Sequence, residues 1–145
     1  MFDKHAGERC LRWLLQTLIG IDTNRNGVRD DVEIYILTKY SSEKEQKALI
    51  QYAKVLQASN FVSTQEQNKP VLESSWKAIN CVGATIGRQD NKSYIAMDDI
   101  DAKHFNTENR LLQQGRLSDL AKYSVFHAKK YGIDACIIDP ATLSE

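Results

Sequence analysis

A chain of 145 residues is long enough for one domain with a substantial buried core. Hydrophobic residues make up 42% of it and charged residues 26%, which is the composition of an ordinary globular protein. Lysine plus arginine equals aspartate plus glutamate at 19 each, and no basic stripe is interleaved with aromatic residues, so the sequence predicts no nucleic-acid-binding role.

The first predicted helix lies near the N-terminus and presents one apolar face. That face consists of Leu11, Leu14, Leu15 and Leu18. Gly20 ends the helix, because glycine can take the backbone conformation that turns the chain. The apolar stretch around this helix is too short to span a bilayer and contains Arg12, so no membrane span is predicted.

The following segment, DTNRNGVRDDVE from Asp22 to Glu33, matches the twelve-residue EF-hand calcium loop. Position six must turn sharply and is Gly27, and position twelve needs a bidentate carboxylate and is Glu33. A hard cation requires six to eight oxygen ligands, and this spacing wraps oxygens around one point. The predicted Ca²⁺ ligands are Asp22, Asn24, Asn26, the main-chain carbonyl of Val28, Asp30 (often through water at this position) and Glu33.

The alternative is an Asx-rich loop that caps the next helix and binds no metal. That alternative does not require Gly27 together with Glu33. Position eight, which is aliphatic where two such loops pair, is Arg29, and no second loop exists because 98–106 lacks the central glycine and the terminal glutamate. We therefore expect a structural clamp and not a regulatory sensor.

The second and third helices are predicted from capping signals and apolar spacing. The second runs from about Asp30 to Tyr40, with acidic residues in its first turn, where they suit the helix dipole. The third begins after Ser41 or Ser42, and Glu45 stands three residues after Ser42, which is a capping-box spacing. The predicted inward residues are Val32, Tyr35, Ile36 and Tyr40 in the second helix and Leu49, Tyr52, Ala53 and Leu56 in the third, with Ala48 and Val55 flanking that face.

The fourth helix is expected to begin just before Pro70, because proline is tolerated in the first turn of a helix and is damaging later. Its predicted buried stripe consists of Leu72, Trp76, Ile79, Val82 and Ile86. From Gly87 to Asn106 polar and acidic residues interrupt the pattern. This interruption predicts a long loop that holds at most a short helical turn.

Asn106 or Thr107 is predicted to cap a fifth helix, which Gly132 stops. Its predicted inner face consists of Leu117, Leu120, Ala121, Ser124 and Ala128, and the tail through Ile133, Ile137 and Ile138 is expected to pack back as an extended segment. No repeat or linker divides the chain. The predicted fold is a single all-α domain, residues 1–145, of about five helices with the EF-hand-like calcium loop between the first two.

Three cysteines leave at least one thiol unpaired within a monomer. In an oxidising compartment Cys81 and Cys136 are the pair we predict, and closing the long loop between them would stabilise the fold by roughly 4 kcal/mol. In a reduced protein the same residues are two buried thiols. Nothing at the start has the order of a signal peptide, so we expect a cytoplasmic protein, or a periplasmic or secreted one if a targeting segment was removed.

The stretch GIDTNRNGVRDDVEIYI, from Gly20 to Ile36, resembles the opening of a group of small, uncharacterised bacterial proteins. Some of these proteins are exported, and others are encoded on integron gene cassettes. NTENR at 106–110 is similar to part of their late helix, and they also have one cysteine mid-chain and another near the C-terminus. The resemblance implies calcium binding, a helical body and a bacterial origin, and it implies no reaction.

The leading functional expectation is a non-enzymatic, calcium-stabilised helical domain that binds another macromolecule or self-associates. The alternative is a small hydrolase or transferase with a site in the Gly87–Asn106 segment, where Asp98, Asp99, Asp101 and His104 gather. A deep pocket with convergent polar groups would favour the enzyme, and an exposed apolar patch would favour the binding module.

Overall fold

The computed structural model describes residues 18–122, 124 and 132–136. Every regular element in this part of the chain is helical, and it contains no strand, which confirms the prediction of an all-α protein. The five α-helices are α1 (Asp30–Lys39), α2 (Glu43–Ser59), α3 (Gln65–Ile86), α4 (Lys92–His104) and α5 (Glu108–Ala121). Two 3₁₀ turns, Gln89–Asn91 and Ile133–Cys136, complete the described structure.

Four of the five predicted helices are present among the described residues, as α1, α2, α3 and α5. The first predicted helix lies outside the described residues except for its end, where Leu18 and Ile19 are helical. Gly20 follows with a φ of 72°, as expected for a glycine that ends a helix. The fifth helix in the described part of the chain is instead α4, which occupies most of the predicted loop.

The prediction of a long loop between Gly87 and Asn106 is therefore wrong. Gly87 ends α3 with a φ of 92°, and Asp90 and Asn91 take left-handed conformations that lead into α4. The buried face of α4 consists of Ser93, Ala96, Met97, Ile100 and His104. These residues have helical spacing, but serine, alanine and histidine lack the large apolar side chains that mark a buried helical face in a sequence.

The core forms where α2 packs along α3 and also contacts α1 and α4. Val32 and Ile36 of α1 are buried as predicted, and Tyr35 and Tyr40 pack partly buried against the core. On α2, the predicted face residues Leu49, Tyr52 and Ala53 are buried and Leu56 is partly buried. The two residues predicted to flank this face, Ala48 and Val55, are fully buried as well. The Tyr52 hydroxyl remains hydrogen-bonded in this apolar setting, because it donates to Asp101 Oδ1 at 2.9 Å.

One predicted helix start and one predicted cap need correction. α3 begins at Gln65, so Pro70 lies inside the helix and not in its first turn. The start is fixed by Thr64, whose Oγ1 accepts from Gln67 N at 3.3 Å, while Gln67 Oε1 accepts from Ser63 N at 2.9 Å. The predicted capping box at the start of α2 is absent, because Ser42 makes no side-chain cap hydrogen bond.

The buried faces of α3 and α5 also differ from the predicted ones. On α3 the apolar buried residues are Ala78, Cys81 and Val82, and the other four members of the predicted stripe are only partly buried. On α5 the buried residues are Arg110 and Gln113, whereas Leu117, Leu120, Ala121 and Ser124 are partly exposed. Helix α5 begins after Thr107, one of the two predicted caps, and ends at Ala121 instead of continuing to Gly132.

The C-terminal turn is held against α3 by a disulfide bond. Cys81 and Cys136 are joined with their Cα atoms 4.9 Å apart, the pairing predicted for an oxidised chain. Gln51 Nε2 of α2 donates to Ala135 O at 3.0 Å and gives the turn a second attachment. The predicted extended tail is a 3₁₀ turn over 133–136, and Cys10, Ala128, Ile137 and Ile138 lie outside the described residues.

None of the described helices is long and apolar enough to cross a membrane.

We expect Gly20→Ala to lower the free energy of unfolding by about 2 kcal/mol or more. Gly20 has a φ of 72°, and a Cβ there would lie 2.3 Å from Arg29 Cδ. Gly115→Ala is the matched control, because Gly115 has an ordinary helical φ and no atom within 4 Å of an added Cβ. The control is expected to be neutral or to stabilise by up to about 1 kcal/mol. Urea denaturation measures both, and equal effects would contradict the packing described at Gly20.

Candidate metal centre

The loop from Asp22 to Glu33 curls around the carboxylate of its first residue. Asp22 Oδ1 accepts from Asn26 N at 3.2 Å, and Asp22 Oδ2 accepts from Gly27 N at 2.9 Å. Gly27 has a φ of 82°, and a Cβ there would meet only Lys54 Cγ at 3.8 Å. Glycine is therefore required at position six by the backbone conformation and not by lack of space.

The two asparagines continue the same local pattern. Asn24 Oδ1 accepts from Asn26 N at 3.1 Å, and Asn26 Oδ1 accepts from Val28 N at 2.8 Å. An amide oxygen has two lone pairs, so each of these oxygens can accept one N–H and still offer a lone pair to a cation. The backbone N–H groups of the loop thus orient both side chains.

The side chain of Glu33 joins both asparagines. Asn24 Nδ2 donates to Glu33 Oε2 at 3.1 Å, and Asn26 Nδ2 donates to Glu33 Oε1 at 2.6 Å. Glu33 lies in the first turn of α1, so the end of the twelve-residue segment folds back onto its middle. A cation here would replace these amide-to-carboxylate bonds and would use the second lone pairs of the amide oxygens.

Asp30 and Val28 do not take part in the contacts between Glu33 and the two asparagines. The Asp30 carboxylate turns to Thr23, accepting from its backbone N at 2.9 Å and from its hydroxyl at 2.6 Å. Asp30 N also donates to Ile21 O at 2.8 Å, which joins position nine of the loop to the residue just before the loop. Val28 buries its side chain in the core with 1% exposed. The structure therefore joins Asn24, Asn26 and Glu33 directly and places Asp30 in a separate contact.

All the predicted metal ligands of the loop are oxygen atoms, and only some of them carry a negative charge. Among the described residues, no group of three or more His, Cys, Asp and Glu side chains is arranged to hold a metal ion. The predicted ligands of the loop comprise three carboxylates, two amides and a main-chain carbonyl. Such a set suits hard cations such as Ca²⁺ and not thiolate- or imidazole-seeking metals.

Arg29, at position eight, is buried and links the loop to α4. Its Nη1 donates to His104 O at 3.1 Å and its Nη2 donates to Lys103 O at 2.7 Å. These carbonyls belong to the last turn of α4, where no intrahelical donor remains. Nη2 also donates to Asp31 Oδ2 at 2.8 Å, and this hydrogen bonding lowers the pKa of Asp31. Sequence reasoning noted Arg29 only as a departure from paired loops and missed this contact.

A second buried arginine holds the helix end that precedes the loop. Arg110 Nε donates to Leu18 O at 3.0 Å, and its Nη1 donates to Asn106 Oδ1 at 2.6 Å. Gln57 Nε2 donates to the next carbonyl, Ile19 O, at 2.7 Å. Burial, followed by the charge of Arg29, lowers the pKa of Arg110. Both ends of the loop are therefore fixed to the helical body through long polar side chains.

The residues considered for an enzymatic site do not converge. Asp99 pairs with Lys39, and Asp101 accepts from the Tyr52 hydroxyl. His104 is 1% exposed and its ring faces Asn60, with Nε2 and Nδ2 3.4 Å apart. Asp98 is exposed to solvent on the surface of α4. These side chains therefore have different surroundings and do not form one cluster.

No protein-family model, curated protein or solved structure matches the chain.

His104 should make the fold less stable at acidic pH. Burial, then the charges of Arg29 and Arg110, lower the pKa of His104 from 6.5 to about 4. The unfolded chain therefore takes up this proton first, and stability is lost as pH falls from about 6.5 to about 4. The loss is at most about 3 kcal/mol.

The free energy of unfolding, measured by urea titration between pH 7 and pH 4, tests this expectation. His104→Gln removes the titrating group, so its stability should fall less steeply with decreasing pH than that of the unaltered protein. Asp101 has a pKa raised by burial, which acts with the opposite sign, but it is present in both proteins and cancels in the comparison. Parallel curves for the two proteins would contradict the burial of a neutral His104.

Proposed function

We propose that this chain is a non-enzymatic helical protein in which residues 22–33 bind one Ca²⁺ ion as a structural clamp. The observation that carries the proposal is the contact of Glu33 with both Asn24 and Asn26, which are nine and seven residues away along the chain. It supports a ligand set of Asp22, Asn24, Asn26, the Val28 carbonyl, Asp30 through water, and Glu33. Ca²⁺ would supply the positive charge around which these oxygens can close.

The surroundings of the loop support a structural role. Val28 is buried in the core, and Arg29 is bonded to the end of α4, so the second half of the loop belongs to the rigid body. Most of the first half is exposed to solvent, including Thr23, Asn24 and Arg25. An ion bound between the two halves would fasten the exposed part to the fixed part. Sensor loops instead expose an apolar groove through a paired loop.

An interaction role and a compartment complete the proposal. Phe61, Leu111 and Leu112 are more than half exposed, which supports binding to another macromolecule or self-association. The Cys81–Cys136 disulfide supports an oxidising compartment, periplasmic or extracellular. Together with the NGVRDDVE-type loop, these features support membership of the small bacterial proteins to which the chain bears a resemblance.

Calcium should raise the stability of the protein. An ion that binds only the native state adds RT ln(1 + [L]/Kd), about 2.7 kcal/mol at a hundredfold excess over Kd, which corresponds to a Tm increase of about 5–10 °C. Thermal unfolding followed by circular dichroism in Ca²⁺ and in chelator measures the difference. Equal Tm values, in protein shown by metal analysis to be stripped in chelator, would refute the proposal.

Glu33→Gln should abolish most of this increase, because it removes a charge and half of the bidentate ligand. Glu66→Gln is the matched control: Glu66 also lies in the first turn of a helix, α3, so both changes remove one favourable charge from a helix N-terminus. The control protein should retain the full Ca²⁺-dependent increase in Tm. Loss of the increase in both variants would assign it to helix dipoles and not to the loop.

The affinity for Ca²⁺ should be micromolar or weaker, because asparagine at positions three and five replaces two carboxylates. Asn24→Asp and Asn26→Asp together should tighten binding at least tenfold by adding two negative charges. Isothermal titration calorimetry measures both proteins. Nanomolar binding by the unaltered chain would contradict the predicted weak affinity. An unchanged Kd in the double variant would contradict the proposed ligand set.

A further inference from the structure

We propose that the cavity over the Cys81–Cys136 disulfide is a thiol–disulfide exchange site for a small anionic thiol. The proposal does not depend on calcium binding by the 22–33 loop.

The cavity has a volume of about 170 Å³ and opens onto the disulfide. Helix α2 lines it with Lys44, Lys47 and Gln51, α3 with Cys81 and Thr85, and the C-terminal turn with Cys136. At about 30 Å³ for each water-sized group, this space holds roughly five or six heavy atoms. It can therefore admit a small thiol.

The charge around the cavity favours an anion. Lys44 and Lys47 are one helical turn apart, so both extend from the same face of α2. Lys47 Nζ lies 2.6 Å from Glu43 Oε1, and this exposed pair compensates one of the two positive charges. One net positive charge remains at the cavity. It attracts both the thiolate nucleophile and any further negative group that the thiol carries.

The accessible sulfur determines where exchange begins. Cys81 is 1% exposed, whereas Cys136 is partly exposed. An incoming thiolate attacks Cys136 Sγ, a new S–S bond forms there, and the Cys81–Cys136 bond breaks. The electron pair leaves on Cys81 Sγ, and the thiolate formed there takes up a proton.

A second equivalent of the same thiol completes the exchange. Its thiolate attacks the outer sulfur of the adduct, leaves as the small-molecule disulfide and releases Cys136 as a thiolate. Thr85 Oγ1 lies 3.6 Å from Cys136 Sγ, where its hydroxyl can donate to that thiolate. Two thiols are thus oxidised to one disulfide, and the protein disulfide is reduced to two thiols. Reduction removes the covalent link between the C-terminal turn and α3.

The test compares an anionic and a cationic thiol on the full oxidised chain. 3-Mercaptopropionate and cysteamine are reacted anaerobically at low ionic strength, and adducts are quantified by mass spectrometry after acid quenching. Each rate, expressed per thiolate, is divided by the rate of the same thiol with neutral 2-hydroxyethyl disulfide. The normalised rate of the anionic thiol should exceed that of the cationic thiol about fivefold, and the preference should vanish near 1 M salt.

Paired lysine variants assign the preference to the cavity. Lys44→Gln with Lys47→Gln should lose it, whereas Lys69→Gln with Lys122→Gln, the same charge change on lysines that do not line the cavity, should keep it. Peptide mapping should find the mixed disulfide on Cys136. Equal normalised rates for the two thiols would overturn the proposal. Reaction through global unfolding would give this result. An unchanged preference in the Lys44/Lys47 variant, or an adduct confined to Cys81, would overturn it as well.

Discussion

Helix C-termini inside a protein leave carbonyl groups that need donors, and in this protein long polar side chains supply them. Arg29 donates to the last carbonyls of α4, and Arg110 and Gln57 donate to Leu18 O and Ile19 O. Gln113 of α5 donates to Ser59 O at 3.2 Å and Val62 O at 2.9 Å, at the end of α2. Four of the ten buried polar or charged side chains in the described part of the chain, Arg29, Gln57, Arg110 and Gln113, thus donate to helix ends. A buried carbonyl that loses its donor costs free energy, so these bonds stabilise the helix ends.

These capping contacts require some segments of the chain to pack closely together. Arg29 passes beside Gly20, whose missing side chain leaves room for the Arg29 methylene groups. The two arginines are close enough that the charge of Arg29 lowers the pKa of Arg110. Asp31 supplies the compensating carboxylate beside Arg29. An arginine pair of this kind is tolerated because each guanidinium is satisfied by carbonyl or carboxylate oxygens. Replacing one partner would leave a buried charge or a buried carbonyl without its hydrogen bonds.

Features defined by local sequence could be predicted, whereas those defined by distant contacts could not. The face of α2 and the turn at Gly20 follow from apolar spacing and from one glycine, and both are confirmed. Helix α4 was missed because three of its five buried residues, Ser93, Ala96 and His104, are small or polar and become buried only through packing on α1, α2 and α3. Arg110 and Gln113 were missed for the same reason, since only the tertiary structure provides the carbonyls that they cap.

The contacts of the candidate site can also be divided into local contacts, which could be predicted, and a distant contact, which could not. The bonds within 22–33 connect residues at most nine apart, and the loop spacing suggested most of the side chains that they bring together. The bond from Arg29 to α4 spans 75 residues, and no twelve-residue pattern contains it. This bond makes the loop part of the cooperative fold, because opening the loop at Arg29 also removes the donors from the last carbonyls of α4. A ligand that holds the loop closed would therefore act on the stability of α4 as well as on its own binding segment.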